Sequence, residues 1–240
     1  MKKFTISVVF VVLSLVAHAQ TFIAEKSDTT IWSEYYDGHI WAYRQIGDIV
    51  VGMTNYKEKD KYGKYYQIAI FIKNLGDISV TFDPENVTST LYNKRGDAYE
   101  LKVYTYDRYM KKVKTAQAWS MALLGFSAGI NAGMAGYQTT YSNSYMPNGM
   151  AYTQVHRTYN YAAASAANMA ATTQMITLNR VMENDRNLKS QGYLKITTIH
   201  PDEGIIGYMN IKRKKGQTMT VNIPVNGQTC SFEWDLTKKK

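Results

Sequence analysis

Cysteine is almost missing from this sequence: Cys230 is the one residue of its kind among 240. A disulfide framework and any multi-cysteine zinc or iron–sulfur site are thereby excluded. Catalytic signatures are missing too. Beyond the first nineteen residues the histidines are His39, His156 and His200. None stands in an H-x-x-x-H or H-E-x-x-H arrangement, and no G-x-S-x-G, Walker loop or dinucleotide fingerprint occurs in a suitable context. No catalytic, metal-binding or cofactor-binding residue is assigned, and the chain reads as a non-enzyme. A polymer-acting hydrolase built on distant carboxylates is the alternative that spacing alone leaves open. Nucleic-acid-binding motifs are absent, so the positive charge is not read as a nucleic-acid signal.

Charge itself is missing from one long stretch. From Thr115 to Asn179 there is a single Arg157, a single His156 and no other ionisable charge of either sign among Lys, Arg, Asp and Glu. The whole chain carries 28 Lys and Arg against 19 Asp and Glu, a formal charge of +9, with 45% hydrophobic and 20% charged residues. That composition is globular, neither disordered nor collagenous. Four prolines and twenty tyrosines complete the profile.

The first residues read as an address. Lys2 and Lys3 form a basic start, Phe4 to Ala17 is an apolar run, and Ala17-His18-Ala19 is a small-x-small cleavage site. This is a secretory signal over residues 1–19, and its apolar run is shorter than the ~20 residues a membrane span requires. Cleavage removes Lys2 and Lys3 and lowers the formal charge from +9 to +7. No cysteine follows the site to carry a lipid. The expected location is the periplasm, the outer-membrane surface or the exterior of a bacterium.

Residues 20–110 and 190–236 read as strands and turns. Tyr66, Ile68, Ile70 and Ile72 alternate with Gln67, Ala69, Phe71 and Lys73, the period of two of a half-buried strand. Met219, Val221, Ile223 and Val225 alternate in the same way, and Pro224 predicts an edge or a strand end. Asn226-Gly227 predicts a type I′ turn, and Cys230, Phe232, Trp234 and Leu236 share one face of the last strand. Further strands are expected at Ser79–Phe82, Val87–Tyr92, Tyr99–Tyr106, Leu194–Ile199 and Ile205–Lys212. Short strands at this spacing predict a mainly β fold, an antiparallel β-sandwich. The final residues, 237–240, form a basic tail.

The Pro201-Asp202-Glu203-Gly204 turn, the Gly207-Tyr208-Met209 strand and the Phe232-x-Trp234 strand resemble the late strands of uncharacterised secreted bacterial immunoglobulin-like β-sandwich modules. The resemblance covers about a fifth of the chain. It implies an immunoglobulin-like fold in an extracytoplasmic setting and carries over no functional residue.

Residues 111–189 are read as an insertion into that sandwich, giving an α+β whole. Ala116–Gly136 and Asn160–Lys189 predict two helices, joined by a Tyr/Ser/Thr/Asn-rich connection. Gly125, Gly129 and Gly133 stand in glycine-zipper spacing within a small stripe that includes Ala118, Ala122 and Gly136. Each interior glycine costs a helix about 1 kcal/mol, so close approach of a second helix is expected to offset it. Ala163, Ala167 and Ala171 begin the matching stripe, which continues through Met175, Leu178 and Met182. A bulky stripe, Trp119, Leu123, Phe126, Ile130 and Met134, runs along another face of the first helix.

That stripe is expected to cover the sandwich or another subunit. Its second reading is a membrane surface, with Lys111, Lys112, Lys114, Arg180, Arg186 and Lys189 meeting anionic headgroups at the hairpin base. Glu183 and Asp185 read as surface pairing. Tyr137, Tyr141, Tyr145 and Tyr152 mark a possible ligand loop, where tyrosine with serine and asparagine suits a protein partner or a polysaccharide. The functional expectation is an exported binding or assembly protein acting through the hairpin.

Overall fold

The computed structural model describes residues 21–23, 30–36, 38–145 and 151–237. The side chains of 21, 129–130, 132–133, 138, 140–145 and 151–157 lie outside that description, as do residues 1–20 and the last three lysines. In chain order the elements are β1 (Thr21–Ile23), β2 (Ile31–Tyr36), β3 (His39–Ile46), β4 (Ile49–Asp60), β5 (Gly63–Asn74), β6 (Val80–Phe82), β7 (Thr88–Tyr92), β8 (Ala98–Glu100) and β9 (Val103–Tyr104). Then follow α1 (Tyr106–Ala135), β10 (Tyr137–Tyr145), β11 (Ala151–Tyr159) and α2 (Tyr161–Ser190). The chain closes with β12 (Thr197–Ile199), β13 (Gly204–Lys212), β14 (Thr218–Val225) and β15 (Gln228–Asp235).

Two larger sheets dominate, ordered β2-β3-β4-β5-β13-β9 and β1-β15-β14-β7-β8. Two-stranded pairs β6–β12 and β10–β11 complete the set, and the pairings between named strands are antiparallel. Tyr66, Ile68, Ile70 and Ile72 of β5 are buried, as are Met219, Val221, Ile223 and Val225 of β14 and Cys230, Phe232 and Trp234 of β15. They form one hydrophobic cluster with residues from both larger sheets. Full burial of each such aliphatic side chain contributes about 1.5–3 kcal/mol. Asn226 and Gly227 have φ of 51° and 73°, the two positive values of the expected hairpin turn. Pro224 lies beyond the β7 pairing, which ends at Asn222, so its missing N–H costs no ladder bond on that side.

Three local expectations are corrected. Tyr99–Tyr106 is not one strand, since β8 and β9 are separate and α1 begins at Tyr106. Burial decides this: Tyr109, Met110 and Val113 fall on one helical face and are buried against the β-core. Within the Tyr-rich connection, residues 137–145 and 151–159 are not loop. They form β10 and β11, paired in register from Tyr137↔Tyr159 to Tyr145↔Ala151. The strand expected over Leu194–Ile199 is confined to Thr197–Ile199.

Candidate functional site

The β4–β5 turn lies between the bases of both helices. Asp60 Oδ1 accepts the backbone N–H of Tyr62 at 2.8 Å and of Gly63 at 2.9 Å, which shapes the turn. Its Oδ2 accepts the Tyr109 hydroxyl of α1 at 2.9 Å and the Lys189 ammonium of α2 at 2.8 Å. One carboxylate therefore ties both helices to one turn. Two residues on, the Tyr62 hydroxyl donates to Asp185 Oδ2 and accepts from Gln117 Nε2 at 2.8 Å. Gln117 also donates to the Met182 carbonyl at 3.0 Å, while its Oε1 accepts from Arg186 at 2.6 Å. Lys61 pairs with Asp185 at 3.1 Å.

Electrostatics follow from this bonding. Burial alone would raise the Asp60 carboxyl, but the bonds from Lys189, Tyr109 and the Tyr62 amide outweigh it and hold it below the ordinary carboxylate value. Asp185 is held low in the same manner: burial opposes ionisation, and Tyr62 and Lys61 overcome it. Burial, reinforced by the Asp60 charge, pushes the Tyr109 and Tyr65 phenols far above their usual range. Tyr208, whose hydroxyl donates to the Lys189 carbonyl at 2.6 Å, is pushed up to about 12, chiefly by burial. The cluster holds ionised carboxylates and neutral phenols in fixed bonds, and its chemical work is positional.

Sequence spacing had placed these groups elsewhere. Lys112 donates to the Tyr65 hydroxyl at 2.8 Å, and Lys189 and Arg186 are bonded inside the base, so three of the six basic residues read as headgroup contacts are engaged by the protein itself. Asp185 pairs with the exposed Lys61, and the same carboxylate also accepts the Tyr62 hydroxyl. Asp60, Tyr62, Tyr109 and Gln117 carried no individual signal. One trace was present: Met182, Asp185, Arg186 and Lys189 stand at i, i+3, i+4 and i+7, a single helical face whose charges disguise it as surface.

Beyond the base, the helices pack through a mixed seam. Val113 and Gln117 are buried on α1, followed by half-buried Met121, Gly125 and Ala128. Ala163, Ala167, Ala171, Met175 and Leu178 are half-buried on α2, with Ala164 and Met182 fully buried. A Cβ on Gly125 would stand 3.2 Å from Met175 Cε, so this glycine opposes a methionine rather than an alanine. Ala118 and Ala122 are exposed and lie outside the seam. The surroundings of Gly129, Ile130 and Gly133 lie outside the described side chains. At the helix end a Cβ on Gly136 would fall 2.5 Å from the Tyr159 ring and 3.1 Å from Ala164 Cβ. Between Gly125 and Gly136, the approach is the tighter at Gly136, next to Tyr159.

The bulky stripe does not cover the β-core. Trp119 is 69% exposed, Leu123 67%, Phe126 73% and Met134 68%. At 100° per residue these positions point about 180° away from the Met121–Ala128 seam, so α2 leaves them uncovered. At the tip, Tyr137, Tyr159 and Tyr161 pack edge to face with centroids 5.0 and 4.7 Å apart. Tyr141, Tyr145 and Tyr152 sit in β10 and β11, but their side chains lie outside the described set. The structure thus brings Gly125, Ala163, Ala167 and Ala171 to the interhelical seam and leaves Trp119, Leu123 and Phe126 on the opposite surface.

Among the described residues no helix is long and apolar enough to cross a membrane. No group of three or more His, Cys, Asp or Glu is placed among them to hold a metal ion. No protein-family model matches the chain, and no curated protein or solved structure is significantly similar to it.

Proposed function

We propose that this is an exported, non-catalytic assembly protein of the bacterial cell envelope. An immunoglobulin-like sandwich serves as its base, and the outer face of α1 joins a second copy of the chain. One observation carries the reading: four large apolar side chains, Trp119, Leu123, Phe126 and Met134, lie along one helical face and are each about two-thirds exposed or more. Their spacing of four, three and eight residues keeps them in line along a helix. The two rings alone offer on the order of 300 Å² of apolar surface, which in a soluble monomer marks an interaction site.

A second copy is favoured over a charged partner. The Thr115–Asn179 stretch holds Arg157 as its sole formal charge, so it offers a charged partner little to select. An uncharged apolar stripe is complementary to itself, and a two-fold axis lets each stripe cover the other.

Light scattering of the chain lacking residues 1–19 tests the reading. The expected result is a mass above one chain, reduced to one chain by Phe126→Glu with no loss of thermal stability. A single-chain mass at every concentration would reject self-association. Flotation of that monomer with anionic liposomes at low salt would then assign the stripe to lipid.

A further inference from the structure

The protein's excess positive charge is gathered at one end of the two larger sheets. Two loops meet there, 93–97 after β7 and 213–217 between β13 and β14. With Lys212, which closes β13, they carry Lys94, Arg95, Arg213, Lys214 and Lys215 against one carboxylate, Asp97. Without residues 1–19 the chain has a formal charge of +7. These loops hold +5 of it and Lys238–Lys240 hold +3, so the remainder of the chain comes to −1. The Leu236 N–H bonds the Gln217 carbonyl at 2.8 Å, so the sequence also runs into those three lysines from this end.

Neither loop is slack. Asn93 Oδ1 accepts the N–H of Arg95 at 2.8 Å and of Asp97 at 3.0 Å, while its Nδ2 donates to the Asp97 carboxylate at 2.8 Å. Gly96 turns the chain back with φ of 86°. In the facing loop, the Tyr66 hydroxyl donates to the Lys214 carbonyl at 2.7 Å and the Gln217 N–H to the Tyr92 carbonyl at 2.8 Å. Between them lies an open cleft of about 340 Å³ lined by Asn93, Lys94, Arg95, Lys215 and Gly216. The backbones are bonded, but the cations are not. None of the six forms an ion pair or a side-chain hydrogen bond among the described residues, and all but Arg213 are exposed. Solubility is served by interspersed charges of both signs. Six like charges on two fixed loops repel one another and call for counter-charge from outside.

We infer that these loops bind an acidic polysaccharide, a flexible chain bearing uronate carboxylates. Lysine and arginine make charge-assisted bonds to carboxylates, arginine in bidentate fashion. A polymer brings several carboxylates at once to the arc from Lys94 to Lys212 and releases its own counterions. A flat anionic bilayer fits less well. The helices are bonded to Tyr62, and the Arg213 N–H bonds the Lys64 carbonyl at 3.1 Å, two residues farther along the same turn. The helical hairpin thus leaves the sheets at the end that bears the cations, and it holds a plane away from them. A flexible chain passes beside it. A nucleic acid would meet the same charges, and the choice against it rests on the proposed export. The α1 stripe takes no part, so self-association and this binding fail separately.

Titration of the chain lacking residues 1–19 with polygalacturonate tests this, beside dextran, a DNA duplex and phosphatidylglycerol vesicles. Polygalacturonate is expected to bind and dextran not to. Its affinity should fall tenfold or more between about 50 and about 200 mM salt, a measurement that needs no variant. Lys94→Gln with Arg95→Gln should weaken binding about tenfold. Lys73→Gln with Lys195→Gln, the same loss of charge away from these loops, should weaken it roughly twofold at most. Absence of binding to polygalacturonate at low salt overturns the inference, as does equal weakening by the two pairs. Tighter binding of the duplex or the vesicles overturns the choice of a polysaccharide, while the mass read by light scattering is unaffected.

Discussion

Asp60 accepts four hydrogen bonds from four different groups, and this makes it the most consequential polar residue outside the core. Replacing it by Asn keeps the shape but removes the charge that faces Lys189. The expected cost is about 2 kcal/mol at neutral pH, because Lys189 and Tyr109 are left with a weaker acceptor. Chemical denaturation of Asp60→Asn beside the unsubstituted chain measures it. The acid dependence has a definite sign. Asp60 and Asp185 are both held below their unfolded value of 3.8. Their contribution is therefore complete above that value and is lost as pH falls through it toward the folded values. Thermal melts from pH 6 downward should show a steeper acid loss in the unsubstituted chain than in Asp60→Asn. This residue was invisible in the sequence for a physical reason. Its partners stand 49 and 129 positions away, and an aspartate in a strand-joining turn needs no partner to account for it.

At the scale of elements, legibility followed burial pattern. β5, β14 and β15 bury one face fully and the other at most in part, so hydrophobic alternation located them. The α2 stripe was legible for the same reason: Ala163, Ala167, Ala171, Met175, Leu178 and Met182 all turn toward α1. β10 and β11 were not legible, since Tyr, Thr, Ser and Asn on both faces give no alternation. Their order rests instead on the ladder from Tyr137↔Tyr159 outward and on the Asn160 N–H bonded to the Gly136 carbonyl at 2.6 Å. Gly136→Ala should disturb that junction, because its methyl must displace the Tyr159 ring. A cost of about 1–3 kcal/mol is expected, confined to the tip. Hydrogen exchange should quicken in β10 and β11 while β5 and β14 stay protected. Equal loss of protection in β5 would show that the junction supports the whole fold.

The whole molecule divides its stabilising contacts unevenly. The hydrophobic cluster draws on α1 only as far as Ala116 and resumes at Tyr193, so neither the middle of the hairpin nor its tip contributes to it. Replacing residues 119–180 by a short Gly/Ser linker should therefore leave a β-rich protein that melts cooperatively. The bond between Gln117 and the Met182 carbonyl shows that the cut ends are close enough to join. Far-UV circular dichroism should lose most of its helical signal, and light scattering should report one chain. Failure of this shortened protein to fold would mean that the hairpin nucleates the sheets. The same uneven division has a hydrodynamic consequence. Each helix of 30 residues is about 45 Å long, and most of that length stands clear of the core. Drag depends on the longest dimension more than on mass. A single copy should therefore diffuse slowly and leave a sizing column early, in the place of a compact protein of greater mass.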